Sequence, residues 1–203
     1  MDNVSRGSAG AAGGRFAHVA DAFSRMGSDG LASVFSEGDG YATHVLVEDV
    51  ELAYECANGS TFEGCRFIGC AMDRSWLNRV DMRDCSAPGM SLLQARLAQV
   101  SALSTDLSYA NLSETLIDRL SLGNCKLREA ALQRAKLKRV RWDACDLTRI
   151  DVFGTPLAGI DVSGCAFAAP VLSGDFHELR GAVVSVEQAL DVARLLGVRI
   201  AEE

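Results

Sequence analysis

Aromatic residues are scarce in this 203-residue chain, at 6%, and there are only three prolines and three histidines. With so few rings, any core must be filled by aliphatic side chains and cysteine. No apolar run approaches the eighteen or so residues that a membrane span needs. The start, Met1-Asp2-Asn3-Val4-Ser5-Arg6, lacks the basic and apolar stretches of a secretory signal, so a cytoplasmic location is the expectation. Basic charge is not in surplus either. The formal net charge is −7, which argues against nonspecific binding of nucleic acid through its phosphates. What is plentiful is ordinary: 48% hydrophobic and 23% charged residues, the composition of a core-forming domain. Nineteen glycines suggest at least one flexible stretch. The seven cysteines are an odd number in a reducing compartment, which fits free thiols better than a disulfide framework.

A repeat organises the middle of the chain. Every fifth residue from Phe62 to Leu172 is apolar, running Phe62, Phe67, Met72, Leu77, Met82, Ala87, Leu92 and so on. At this hydrophobic content chance would give such a run in one of five phases roughly a few times in ten million. Neither the helix period of 3.6 nor the strand period of 2 produces it. Two residues earlier sits a second phase of small or β-branched residues (Cys65, Cys70, Ser75, Val80, Cys85, Ala95), with Met90 and Leu120 as bulky exceptions. Two inward positions followed by a polar corner is what a very short strand with a tight turn requires.

Thr105-Asp106-Leu107-Ser108-Tyr109 and Ala110-Asn111-Leu112-Ser113-Glu114 resemble the motif of the pentapeptide-repeat family. The resemblance covers about residues 45–175. It implies an all-β fold, a right-handed quadrilateral parallel β-helix with short helical caps, in which four pentapeptides form one square coil. Six and a half coils at about 4.8 Å each make a rod of about 30 Å. Such coils bury their inward faces by stacking and need caps at both ends. Val45, Val47, Val50 and Leu52 keep the phase and place the first coil there, although Glu55 and Ala57 fit poorly and Cys56 is out of phase. Pro88-Gly89, with central alanines at 87 and 102, predicts a loosened coil or bulge over 87–103.

The resemblance makes sense of the cysteines. Counting in twenties places Cys65, Cys85, Cys125, Cys145 and Cys165 in one column, broken by Thr105. A metal-binding reading competes with a packing one. Cysteine is a small, readily buried side chain, no C-x2-C spacing is present, and no histidine joins the column. The column therefore reads as an inert ladder with no metal. His18, His44 and His177 are scattered, and no base is marked beside a serine or cysteine nucleophile. The glycine-rich run 9–14 lacks the lysine of a phosphate loop. The expectation is a non-enzymatic protein without a cofactor.

The ends differ from the middle. Residues 1–14 read as a disordered tail, and 15–44 as a cap with an amphipathic helix around 15–26, from Phe16, Val19, Phe23 and Met26. At the other end, 176–203, Ser185-Val186-Glu187-Gln188 is a capping box. Val186, Ala189, Leu190, Ala193 and Leu196 follow as an apolar stripe ending at Gly197. This module resembles the C-terminal end of mycobacterial-type fluoroquinolone-resistance pentapeptide proteins. That resemblance implies a tail-to-tail homodimer that mimics duplex DNA for DNA gyrase, a type II topoisomerase. The competing reading is a cap that closes one monomer.

Charge sorts by wall. Residues 60–175 hold 13 acids and 14 bases, so the net charge comes from the ends. One wall carries Glu63, Asp81, Asp84, Asp143 and Asp161, against Arg83 and Arg141. The wall before it carries Arg79, Arg96, Arg119, Lys136, Lys138 and Arg139, against Asp118 alone. The acidic wall suits the DNA mimic. The basic wall suits an alternative, a general scaffold for protein or nucleic acid without a topoisomerase role. Plain solvation of a repeat surface accounts for part of either.

Overall fold

In the computed structural model nearly every fifth residue has a positive φ, from His44 at 50° and Tyr54 at 65° to Arg139 at 54° and Arg149 at 59°. The structure describes residues 23–36 and 39–201. Each left-handed residue turns one corner, and four corners close a coil of 20 residues. A residue with a side chain pays about 1–2 kcal/mol for this conformation. Backbone bonds between coils offset that cost corner by corner: the N–H of Arg79 donates to Ala98 O at 2.9 Å, and that of Glu114 to Gln133 O at 2.7 Å.

The strands are β1 (Ser24–Arg25), β2 (Tyr41–Thr43), β3 (Val45–Glu48), β4 (Cys56–Asn58), β5 (Thr61–Glu63), β6 (Arg66–Ile68), β7 (Trp76–Asn78), β8 (Asp81–Arg83), β9 (Arg96–Leu103), β10 (Leu116–Gly123) and β11 (Lys136–Asp143). Helices α1 (Ser28–Ser36) and α2 (Val186–Leu195) lie at the two ends. All the strand pairings are parallel, and between consecutive coils the register is twenty, as in Arg96↔Leu116↔Lys136. The result is a parallel β-solenoid of about six turns.

The four walls are not equivalent. β9, β10 and β11 run unbroken through the corners at Gln99, Arg119 and Arg139, so the basic and acidic walls form one bent sheet. The third wall (106–109 in one coil) and the fourth (111–114) are instead tied by single bridges and tight turns. Ala110 N–H donates back to Leu107 O at 3.1 Å, and Ile150 N–H to Leu147 O at 3.1 Å. The Asp-Leu-Ser and Asn-Leu-Ser motifs stiffen these turns: Asp106 Oδ1 accepts from Ser108 N–H at 3.0 Å and Asn111 Oδ1 from Ser113 N–H at 3.1 Å.

The expected bulge at 87–103 is absent. Ala87, Met90 and Leu92 are buried, and Ser86 and Ser91 bridge regularly to Asp106 and Asn111. Met90 N–H closes the turn onto Ala87 O at 3.3 Å, which puts Pro88 at the second turn position and Gly89, with φ 69°, at the third. A turn with positive φ at its third residue favours that pair of residue types. Pro-Gly therefore suits the coil rather than loosening it.

The central residues of the repeat line the rod's axis. Leu127, Leu132, Leu147, Val152 and Leu157 have 0–1% of their surface exposed, each gaining about 1.5–3 kcal/mol over exposure. Trp142 takes a central position in the acidic wall, where its indole Nε1 is buried with no hydrogen-bond partner among the described residues.

The N-terminal cap differs from expectation. Residues 15–22 lie outside the described residues, while Ser24–Arg25 form β1, paired with Val45 and Leu46, and the helix occupies Ser28–Ser36. Leu31, Val34 and Phe35, spaced three and one apart, supply its buried face. Phe35 meets Phe62 edge-on with ring centroids 6.0 Å apart. Gly40 admits this approach, since a Cβ there would fall 1.9 Å from Val34 O. Ala57 is fully buried beside α1, so the small residue that fits the repeat poorly makes room for the cap. Coil pairing already begins at Tyr41, opposite Thr61, ahead of Val45.

Candidate partner-binding surfaces

The rod's axis is filled by side chains, so chemistry is confined to the walls, corners and ends. On the acidic wall the five carboxylates do not form one patch. Glu63 accepts from the Tyr41 hydroxyl. Asp81 is paired with Arg83 at 2.6 Å and accepts from Ser101 Oγ at 2.7 Å. Asp161 accepts from Ser163 Oγ at 2.6 Å and from Ser163 N–H at 2.9 Å, and these bonds, the hydroxyl's first, hold it below its ordinary range. The two intervening coils present Ser101, Leu103 and Ser104, then Ser121, Gly123 and Asn124. Asp84 and Asp143 thus stand three coils apart, about 14 Å.

The basic wall is more continuous. Arg119 and Arg139 stack on one corner column with Arg79 and Gln99. Asp118 pairs with Arg139 through both carboxylate oxygens and is held low chiefly by that bond. With its amide oxygen toward Arg119, Gln99 accepts from both Nη atoms at 2.8 and 2.9 Å. Arg79 reaches Asn58 Oδ1 at 3.4 Å. Arg96, Lys136 and Lys138 make no ion pair among the described residues. Arg141, assigned by sequence to the acidic wall, lines the same corner groove as Arg119 and Arg139. The bend in the continuous strand brings it there, which no linear count reveals.

At the C-terminal end α2 has both bonds of its capping box, Gln188 N–H to Ser185 Oγ at 3.2 Å and Ser185 N–H to Gln188 Oε1 at 2.8 Å. The Gln188 amide also clamps the helix onto the last coil, donating to Val162 O at 2.9 Å and Cys165 O at 2.8 Å. The side of α2 pinned to the rod is therefore marked by a glutamine. Of the predicted stripe, Val186 is 73% exposed, Leu196 56% and Leu190 40%; Ala189 is exposed and Ala193 half-buried. Val198 and Ile200 extend the apolar surface beyond the helix.

The turn before α2 holds a fully buried Glu178. Its Oε1 accepts from Gly154 N–H at 2.7 Å and Ser173 N–H at 3.1 Å, and its Oε2 from Ser173 Oγ at 2.8 Å. Burial alone would raise its pKa, but these donors together bring it below the ordinary glutamate value. The same turn gives His177 partners that the sequence did not suggest. Its Nδ1 lies 2.8 Å from Asp175 Oδ1 and 2.9 Å from Ser173 Oγ. The hydrogen bond with Asp175 raises the His177 pKa. Ser, His and Asp meet on a single ring nitrogen, which locks the turn but offers no relay from one nitrogen to the other. Asp175, His177 and Glu178 could offer ligand atoms to a cation, although Glu178 is already engaged by three donors.

The thiol ladder lies inside the rod. Cys65, Cys70, Cys85, Cys125, Cys145 and Cys165 are buried and Cys56 is exposed. The thiols donate to backbone carbonyls, Cys65 to Ala42 O and Glu63 O, both at 3.4 Å, and Cys125 to Ala102 O at 3.4 Å and Gly123 O at 3.3 Å. Cys65 and Cys125 have 0% and 1% of their surface exposed, a setting that strongly disfavours a thiolate.

Comparison with known proteins follows the repeat. The sequence model of the family described as pentapeptide repeats matches residues 105–141, with eight copies. Among curated proteins no sequence matches. One similar solved structure is a trypsin-treated variant of QnrB1, a plasmid-mediated fluoroquinolone resistance protein: 19% identity, 79% of this chain and 90% of that one, TM-score 0.33. The pentapeptide repeat protein Rfr23 from the cyanobacterium Cyanothece 51142 shares 14% identity over 78% of this chain and 99% of that one, TM-score 0.40. HetL from Nostoc sp. strain PCC 7120, a pentapeptide repeat protein involved in heterocyst differentiation regulation, shares 17% over 78% and 97%, TM-score 0.26. At these values the likeness carries no function across. Among the described residues no helix is long and apolar enough to cross a membrane.

Proposed function

The chain belongs to the pentapeptide-repeat family, and from that premise we propose that it is a non-enzymatic binding rod, paired tail to tail with a second copy, that docks on DNA gyrase or another type II topoisomerase as a mimic of duplex DNA. In this role it modulates or protects the enzyme in the cytoplasm. The observation that carries the reading is the C-terminal helix. A monomer's closing cap would turn its apolar stripe inward and its polar side to water. Here Gln188 grips the coil, while Val186, Leu190 and Leu196 face out. An exposed apolar face on the rod's end suits a two-fold mate, because each copy removes the same patch from water. Two rods of about 30 Å in line make a body of about 60 Å, carrying the acidic-wall carboxylates Glu63, Asp81, Asp84, Asp143 and Asp161 in separated groups.

The test is gyrase supercoiling with and without the protein, each in the presence and absence of a quinolone. The reading expects a dose-dependent change in supercoiling or in drug-stabilised cleavage. No change at concentrations where the protein is dimeric would reject it.

A further inference from the structure

The rod's cations fall into two groups. On the third and fourth walls and their corners four of the six described cations are ion-paired across coils, Lys126 with Asp106 at 3.7 Å, Arg128 with Asp146 at 3.1 Å, Arg134 with Glu114 at 2.9 Å and Arg149 with Glu129 at 3.8 Å, while Arg66 lies over the Phe23 ring and Arg74 donates to Tyr54 and Gln94. Among the described residues of the basic wall and its corner with the acidic wall, only Arg139 has a carboxylate partner, Asp118. Arg96, Lys136, Lys138 and Arg141 have no ion-pair partner among the described residues. If the charges served only solubility, this asymmetry would be unexpected, because the same twenty-residue register could pair them everywhere.

Two shallow grooves flank this wall. In one, Trp76 (52% exposed) and Leu116 (37% exposed) stand on either side of Arg96 in a single column. In the other, across the bend in the sheet, Arg119, Arg139 and Arg141 surround Ser101 and Ser121. Tryptophan and arginine together are the residue types that most often dominate protein–protein interfaces. Along the strand from Leu97 to Ser101 the grooves lie four residues apart, about 13 Å.

We propose that this corner is a docking surface for a short extended acidic segment of a partner protein, with an apolar side chain against Trp76 and Leu116 and a carboxylate about four residues away between Arg119 and Arg141. Charge complementarity favours such a segment over a nucleic acid. The unpaired cations, from Arg96 to Lys136 and Arg141, span two coil steps, about 10 Å. Beyond them Asp81, Asp84 and Asp143 border the corner on the acidic side, so a long polyanion would run into carboxylates, whereas a short segment ends before them. Binding of single strands also relies on a series of stacking aromatics, and Trp76 is the one aromatic side chain on the described part of this wall. The proposal is independent of the tail and of any topoisomerase.

The test is fluorescence anisotropy of a fluorescein-labelled eight-residue probe, with leucine at its second position and aspartates at its sixth and seventh, at low salt. Saturable micromolar binding is expected, weakening at least fivefold in 0.5 M salt, as screening of exposed charges requires. Arg141→Glu and Trp76→Ala should each weaken it about tenfold, and Arg128→Glu on the paired third wall should not. Thermal melts of the three variants check that the coil is retained. The proposal fails if the probe does not bind, if asparagines replace its aspartates without loss, or if neither corner variant matters. It also fails if a twelve-nucleotide oligothymidylate binds more tightly than the peptide, which would make the corner a nucleic-acid surface.

Discussion

One edge of the basic wall is closed and the other is open. At the corner after the fourth wall, side chains form a continuous ladder: Arg74 donates to Tyr54 Oη and, at 2.9 Å, to Gln94 Oε1; Gln94 donates to Glu114 at 2.8 Å, and Arg134 to Glu114 at 2.9 Å. Across the basic wall from it, at the bend into the acidic wall, Arg119, Arg139 and Arg141 stack with one carboxylate partner among them, Asp118. Both sides are built on the same five-residue rule and the same aliphatic axis. The inward positions determine the coil, and the outward ones are free to satisfy one another or to await something else.

The comparison breaks most severely if the shared axis is wrong. Leu112→Asp places a carboxylate in that axis with nothing to pair it, a burial that costs far more than a domain's margin of stability. The variant should show no cooperative melt by circular dichroism, and a melt close to wild type would mean that the inward phase is misassigned.

A smaller effect is expected at the end of the rod. Glu178→Ala leaves the Gly154 and Ser173 N–H groups without their acceptor, a loss of about 2 kcal/mol. Because the folded pKa of Glu178 lies below its unfolded value of about 4.3, its contribution is fully present above that pH and is lost as pH falls through the folded value. Glu178→Gln should therefore flatten the acid limb of the stability profile. An unchanged acid limb would remove the carboxylate from the account.

Paired substitutions sharpen the contrast between the two sides. Arg134→Gln on the closed side removes a rung of the ladder and should lower the melting temperature by about a degree or two. Lys138→Gln on the open side relieves like charge and should leave it unchanged or raise it slightly. Equal losses at both positions would erase the distinction. The smallest perturbation is chemical: a thiol reagent should modify exposed Cys56 in native protein and reach the buried ladder only on unfolding. Rapid native labelling of Cys125 or Cys145 would contradict their inward placement.

The repeat was legible because burial imposes it at every coil: Leu107, Leu112, Leu127 and Leu132 are apolar for the same reason that they are buried. Pro88-Gly89 was misread because the two residues that break helices and most strands are favoured together in this turn. The strand at Ser24–Arg25 was not foreseen because Phe23 and Met26 look helically periodic in sequence, while the pairing of Ser24 with Val45 depends on a partner twenty-one residues away. Arg141, Glu178 and Gln188 could not be ranked from sequence. Their roles come from a bend, a buried turn and a clamp onto Val162, each set by residues distant in the chain. The tail stripe was readable as a helix face, but which way the face turns depends on the Gln188 clamp.

The most direct test of the functional account joins the tail to the partner. Gyrase supercoiling should be measured against wild-type protein and against Leu190→Glu, with sedimentation on the same samples. The account predicts a wild-type dimer that alters supercoiling, and a folded Leu190→Glu monomer, its β dichroism retained, whose effect is weakened at least several-fold. A wild-type protein that is monomeric at tens of micromolar, or a Leu190→Glu monomer as active as wild type, would contradict it.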